Sequence, residues 1–166
     1  AHLRGGVLVE DPLQELDQAG YLDIWKTPPQ IYDFGAGTMG GTLGALDFFA
    51  DTKRSCSGVY AFDQETKPLE WARKDFESFF PTAPKFQKPT SLENTLVLAV
   101  DVFNEMGLSN KEGGSFDEGA PWLREIYSWV EKATDTTLII LIEPASRFIN
   151  QEFLKMRDQL SKKINI

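Results

Sequence analysis

Residues 31–46 constrain this chain more than any other stretch. Ile31-Tyr32-Asp33-Phe34 is a short apolar run carrying one acid. Gly35-Ala36-Gly37-Thr38-Met39-Gly40-Gly41 is a glycine cluster, and Thr42-Leu43-Gly44-Ala45-Leu46 resumes with helical spacing. The order reads strand, tight turn, helix. Glycine permits positive φ and lets a ligand come close to the backbone. The helix start offers unpaired amides to whatever lies in front of it. The stretch is therefore a candidate cofactor turn, and the alternative is a glycine-rich strand–helix turn that binds nothing.

Two cofactors compete for such a turn. Gly35-x-Gly37-x-x-Gly40 satisfies the dinucleotide fingerprint, a weak signal taken alone. Asp33, two residues before the first glycine, argues the other way, because an acid there repels a pyrophosphate and suits a cation. S-adenosylmethionine carries both a sulfonium and an ammonium group. The string Asp33-Phe34-Gly35-Ala36-Gly37-Thr38 resembles the first motif of the Rossmann-like S-adenosylmethionine-dependent methyltransferases, acid-x-Gly-x-Gly. The third glycine usual in that motif is Met39 here.

The 166 residues suit one domain with a real core, and 42% hydrophobic with 25% charged residues is ordinary for a globular protein. No apolar run approaches the ~20 residues of a membrane span. The single cysteine, Cys56, excludes an internal disulfide. With no signal-peptide pattern at the start and a single cysteine, the expected location is the cytoplasm. Cys56 lies between two serines in an expected loop and reads as a bystander thiol. The net charge of −8 disfavours nonspecific nucleic-acid binding, and no basic–aromatic stripe appears in the chain.

Residues 1–10 show little periodicity and read as an arm. Asp11-Pro12-Leu13-Gln14 looks like a helix start, with Asp11 as N-cap and Gly20 able to end the helix. After the glycine turn, Leu43, Leu46 and Phe49 or Ala50 make the stripe of a crossover helix. Val59–Phe62 reads as a second parallel strand ending at Asp63. A carboxylate there can accept hydrogen bonds from both hydroxyls of a cofactor ribose. Glu65 also qualifies, and a turn residue is the plain alternative for Asp63. Thr66-Lys67-Pro68 opens a helix carrying Leu69, Ala72, Phe76 and Phe79 or Phe80, and Lys85-Phe86-Gln87 is a short third strand. Thr95–Val100 is apolar on both faces, as a central parallel strand is. Ligands in open parallel sheets bind beyond the carboxyl ends of the strands, so Asp101, Asn104 and Glu105 border the same cleft as Asp33, or else serve as caps. Residues 107–121 form a polar, glycine-rich loop. Trp122, Ile126, Trp129 and Ala133 mark an amphipathic helix, Thr137–Ile142 a fifth strand ending at Glu143, and Ile149 to Ile164 a last helix.

Phe62-Asp63-Gln64-Glu65-Thr66-Lys67-Pro68-Leu69-Glu70-Trp71-Ala72-Arg73 again looks like methyltransferases, whose second strand ends in an acid and runs into such a helix. Asn104-Glu105 and Ile142-Glu143-Pro144-Ala145-Ser146-Arg147 narrow the resemblance to the methyltransferase-like family associated with the small ribosomal subunit of mitochondria and bacteria, which implies the mitochondrial matrix if the source is a eukaryote. It covers roughly residues 30–160, after an N-terminal arm and helix over 1–29. The resemblance implies an α/β, three-layer Rossmann-like sandwich around a mostly parallel sheet of about five strands in the order 3-2-1-4-5. The final antiparallel strand pair usual in methyltransferases has no counterpart. Members of that branch continue into a cysteine-bearing segment implicated in metal or iron–sulfur binding, so the chain is expected to be a fragment.

The resemblance implies S-adenosylmethionine as cofactor, held by Asp33, Gly35, Ala36, Gly37, Asp63 and Asp101. Asn104, Glu105 and Glu143 then stand on the acceptor side, and small-subunit RNA or the subunit itself is the implied partner. No catalytic base is indicated, since His2 is the only histidine and lies in the arm. Without Cys and His clusters no metal site is expected. Two other readings stay open: a non-catalytic assembly module keeping the fold, and an NAD-dependent oxidoreductase resting on the Gly35–Gly40 spacing.

Overall fold

The structure, a computed structural model, describes residues 2–102, 121–143 and 147–163. These fall into two compact units, one holding residues 2–100 and 133–142 and the other the rest.

The first unit is built on four parallel strands, β1 (Gln30–Phe34), β2 (Gly58–Phe62), β3 (Thr95–Val100) and β4 (Thr137–Ile142), in the order β2-β1-β3-β4. β1 is the hinge of this order. It pairs with β2 from Gln30↔Gly58 to Phe34↔Phe62, and on its other edge with β3 from Gln30↔Thr95 to Phe34↔Ala99. The chain leaves β1 towards one edge and later returns on the other, which makes the carboxyl end of β1 the switch point where such sheets bind ligands. β3 is buried from Thr95 to Ala99, in keeping with its uninterrupted apolar run.

Helices α1 (His2–Gln18), α2 (Gly40–Asp51) and α3 (Thr66–Phe76) cover one face of this sheet. Val9 and Leu13 of α1 and Ala45, Phe48 and Phe49 of α2 pack with Ile31, Leu96, Leu98 and Ile140. Trp25 closes that core edge-on to Phe49, with ring centroids 6.2 Å apart. Its indole Nε1 donates to the Thr136 carbonyl at 2.9 Å. A second cluster joins the glycine turn to β2 and α3 through Ala36, Met39, Val59, Ala61, Leu69, Ala72 and Phe80. Of the two phenylalanines considered for the end of α3, Phe80 is buried and Phe79 exposed.

Two expectations are corrected. Residues 2–10 are helical, so Asp11 and Pro12 lie inside α1 and do not start it. A proline within a helix costs about 3 kcal/mol. Burying Val9 and Leu13 completely returns about 2 kcal/mol each, which offsets it. Gly20 does end the helix, at φ 79 with its N–H on the Asp17 carbonyl. The expected third strand is only a single parallel bridge, Tyr60↔Lys85, so the described sheet has four strands. Lys85 N donates to Val59 O and Lys85 O accepts from Ala61 N, both at 2.9 Å, and Gln87 N then turns back onto Lys85 O. Pro84 and Pro89 have no N–H to extend the ladder.

In the second unit, α4 (Pro121–Lys132) buries Leu123, Ile126 and Trp129 on one stripe. α5 (Arg147–Lys163) buries Met156. The expected polar loop lies outside the described residues except Pro121, which opens α4. Ile164 lies outside them as well.

Candidate functional site

The turn between β1 and α2 takes its path from two glycines and one methionine. Gly35 (φ 69) and Gly37 (φ 47) have the left-handed conformation that glycine adopts without a Cβ clash. Met39 has it too (φ 60, ψ 27), directly before α2. This is the position where the methyltransferase motif has its third glycine. The Met39 side chain is fully buried in the cluster with Leu69, Ala72 and Phe80, and so is committed to the core beneath the turn. Met39→Gly should relieve about 1 kcal/mol of left-handed strain but lose roughly 3 kcal/mol of packing. The expected result is a net loss of about 2 kcal/mol in denaturant unfolding. A stabilised variant would show that strain outweighs packing there.

The turn is tied to the end of β2. Gly35 N and Ala36 N both donate to the Phe62 carbonyl, at 2.7 and 3.1 Å. Gly37 N donates to Asp63 Oδ2 at 2.8 Å, and Asp63 Oδ1 accepts from Glu65 N at 2.8 Å. Three successive amides of the glycine turn are thus engaged within the protein. The carbonyl oxygens of this segment and the two carboxylates beside it are acceptors placed at the turn.

Asp33 lies beneath the start of α2, 2% exposed. Its Oδ2 accepts from Thr42 N at 2.9 Å and from Thr42 Oγ1 at 2.7 Å. The carboxylate therefore satisfies one first-turn amide of α2 and faces the positive end of its dipole. A Cβ on Gly41 would come within 3.4 Å of Asp33 Oδ2, so α2 begins in close contact with the acid. Burial pushes the Asp33 carboxyl up from 3.8 to about 6, against the lowering pull of the two Thr42 hydrogen bonds, and the Asp63 carboxylate adds to the rise. Like charges thus flank the turn.

Of the residues expected at the site, Asp33, Gly35, Ala36, Gly37 and Asp63 come together here. Asp101 and Glu143 belong to the second unit. Asp101 is exposed, with φ 58, directly after β3, and Glu143 directly follows β4. Asn104 and Glu105 lie outside the described residues. Thr42 was not singled out from sequence. A hydroxyl nine residues past the strand acid, in the first helical turn, is the signal that could have marked it. Cys56 donates to Gly58 O at 3.0 Å, and burial raises its pKa, as befits an unreactive thiol. An open cleft of about 190 Å³ lined by Trp25, Lys53 and Arg54 lies at the amino ends of the strands, away from the turn. Among the described residues no helix is long and apolar enough to cross a membrane.

No family model matches the sequence, and no curated protein matches it. Among solved structures the chain is similar to precorrin-6y C5,15-methyltransferase from Geobacter metallireducens, at 11% identity and a TM-score of 0.52. That match covers 85% of this chain and 68% of the other. The fold is a Rossmann-like α/β fold, similar to that of this methyltransferase. Weaker similarity extends to a Burkholderia thailandensis protein bound to S-adenosyl-homocysteine, at 19% identity and a TM-score of 0.44, over 61% of this chain and 26% of that one. The CMeT domain of the citrinin polyketide synthase matches at 19% identity and a TM-score of 0.43, over 81% and 40%. The chain thus spans about a quarter of the Burkholderia protein's length. Within this Rossmann-like fold, the β1–α2 turn and the end of β2 stand together at the switch point.

Proposed function

We propose that the chain binds S-adenosylmethionine at the β1–α2 turn and acts as a methyltransferase domain. One observation carries this reading. The amides of Gly35, Ala36 and Gly37 are already bonded to Phe62 O and Asp63, while the Asp33 and Asp63 carboxylates flank the turn. A pyrophosphate needs those donors and is repelled by those acids. A ligand bearing an ammonium and a sulfonium needs acceptors and is attracted. The same two facts weigh against an NAD-dependent oxidoreductase.

The cofactor, when bound, supplies an electrophilic methyl group on a positively charged sulfur. The chain's own residues hold and orient. Carbonyl oxygens of the 35–37 turn accept from the ammonium, and the field of buried Asp33 favours its charge. Each oxygen of Asp63 keeps a lone pair beyond its backbone bond and can accept from a ribose hydroxyl. Methyl transfer is an in-line displacement in which positioning supplies much of the rate. Asp101 and the acceptor-side candidates Asn104, Glu105 and Glu143 belong to this proposal on sequence grounds. The finer placement beside methyltransferase-like proteins of the small ribosomal subunit rests on the strings at 104–105 and 142–147 alone.

Calorimetric titration with S-adenosylmethionine, S-adenosylhomocysteine and NAD tests the reading. Both adenosyl compounds should bind, with NAD at least a hundredfold weaker. NAD binding alone would overturn it, and binding of neither adenosyl compound would leave a non-catalytic scaffold.

A further inference from the structure

We propose that the cleft at the amino ends of the strands is a second binding site, for a small organic anion. The class of ligand is one aromatic ring carrying a carboxylate or a phosphate. The cleft measures about 190 Å³, and an apolar cavity of about 150 Å³ is enough to hold a benzene ring. Trp25, Pro29 and Phe49 line it with apolar surface, and Lys26, Lys53 and Arg54 line it with charge. In a chain of net charge −8, no acid is among the described residues that line this cleft.

The three cations are not equivalent. The Arg54 guanidinium is paired with Asp17 and lies 3.7 Å from Asp23, so its charge is balanced within the fold. Lys26 and Lys53 are exposed, and their ammonium groups make no ion pair or hydrogen bond among the described residues. The decisive residue is Lys53. It is the left-handed residue that follows α2, at φ 56, a position glycine fills without a Cβ penalty. Thr52 N donates to Phe48 O at 3.0 Å, Lys53 N to Ala50 O at 3.1 Å and Arg54 N to Phe49 O at 2.7 Å. Backbone amides thus close the end of α2, and its carbonyls do not call for the lysine side chain. A strained position that keeps a lysine with no polar partner points to an anion from outside the chain.

The walls of the cleft are preformed. Trp25 Nε1 is held on Thr136 O at 2.9 Å, and its ring packs edge-on to Phe49. Asn94 Nδ2 donates to Pro28 O at 3.0 Å and to Thr27 Oγ1 at 3.2 Å. Ser57 N donates to Pro29 O at 2.8 Å. Two successive prolines stiffen that wall further. A ligand therefore meets a formed surface, with little ordering left for it to impose. The glycine turn lies at the other end of α2, about 18 Å away along a helix of 12 residues. The cleft shares no residue with the turn, so the proposal stands apart from the cofactor reading.

The test is a titration without cofactor, using phenyl phosphate, benzoate, inorganic phosphate and benzylamine, read from the Trp25 indole and Lys53 amide resonances. Phenyl phosphate or benzoate should saturate with a dissociation constant of about 1 mM or tighter, as suits a ligand of this size. The tighter of the two names the acid group. Inorganic phosphate lacks the ring and should bind about tenfold more weakly. Benzylamine has the wrong charge and should bind more weakly still. Lys26→Gln with Lys53→Gln should weaken binding about tenfold, the sum of two exposed ion pairs. Lys53→Gly should weaken it about threefold and, by relieving the left-handed strain, make the protein harder to unfold. Circular dichroism of each variant checks that it remains folded. The proposal is overturned if neither ring-bearing anion moves those two resonances, or if inorganic phosphate or benzylamine binds as tightly as they do. It is equally overturned if the folded double variant binds as the parent does, or if Lys53→Gly unfolds more easily, which would make that lysine a structural residue.

Discussion

Asp33→Asn should make the protein harder to unfold above pH 6 and, on the proposed cofactor reading, weaken S-adenosylmethionine binding. The folded-state pKa of Asp33 is raised from 3.8 to about 6 by burial. Between those values the folded chain keeps a proton that the unfolded chain has lost, so stability falls as pH rises through the window. Above pH 6 the full penalty stands, about 3 kcal/mol at 1.4 kcal/mol per tenfold. Asparagine carries no charge, and its oxygen can still accept from Thr42 N and Thr42 Oγ1. Its amide hydrogens need partners that the carboxylate did not, which returns about 1–3 kcal/mol. The expected net effect at pH 8 is about 1 kcal/mol of stabilisation, with the pH 4–6 slope of the parent abolished.

Binding should respond in the opposite sense. A cation favours ionised Asp33, so cofactor affinity in the parent should rise between pH 5 and pH 7, with proton release on binding near pH 6. Losing a charge that acts through its field, with no direct hydrogen bond to the ligand, costs about 1–2 kcal/mol at an effective dielectric of about 20, so affinity weakens roughly fivefold to thirtyfold. Denaturant unfolding and calorimetry in buffers of different ionisation enthalpy measure both halves. A variant that binds as tightly as the parent, with the same pH profile, would remove Asp33 from the proposed site.

Asp63→Ala should lose about a hundredfold in affinity for both adenosyl compounds. Asp63 joins the turn to the start of α3 through Gly37 N and Glu65 N. Its removal frees the turn as well as deleting the ribose acceptor. Water can reach those half-exposed amides, so the stability cost should stay near 1 kcal/mol, well below the loss in binding. Asp63→Asn keeps one acceptor and should fall between parent and alanine variant. If Asp63→Ala leaves affinity unchanged, the ribose assignment is wrong and the carboxylate is only a turn residue.

The parts of the fold that could be read from sequence are those fixed by local pattern. Thr95–Val100 and Thr137–Ile142 are unbroken apolar runs between polar breaks, and both are strands over those residues. The glycine turn was legible because few side chains tolerate its left-handed backbone, and Asp63 because it directly ends the apolar run of β2. What escaped depends on partners distant in the chain. Asp11-Pro12 imitates a helix start, and only the packing of Val9 and Leu13 against α2 and the sheet carries the helix past it. Lys85 gains its bridge from Val59 and Ala61, which no local signal at 85–87 reveals. Thr42 meets Asp33 only once the turn has folded. The contact of Lys85 Nζ with the Tyr60 hydroxyl joins residues 25 apart in the chain and forms only beside the sheet.

The most direct test of a turn made for a cationic adenosyl ligand is to watch its amides. In proton–nitrogen correlation spectra, S-adenosylmethionine should shift the resonances of Gly35, Gly37, Gly40 and Gly41 together, and NAD at the same concentration should leave them in place. If S-adenosylmethionine left those four amides unmoved, or NAD moved them equally, the electrostatic account of the turn would be contradicted.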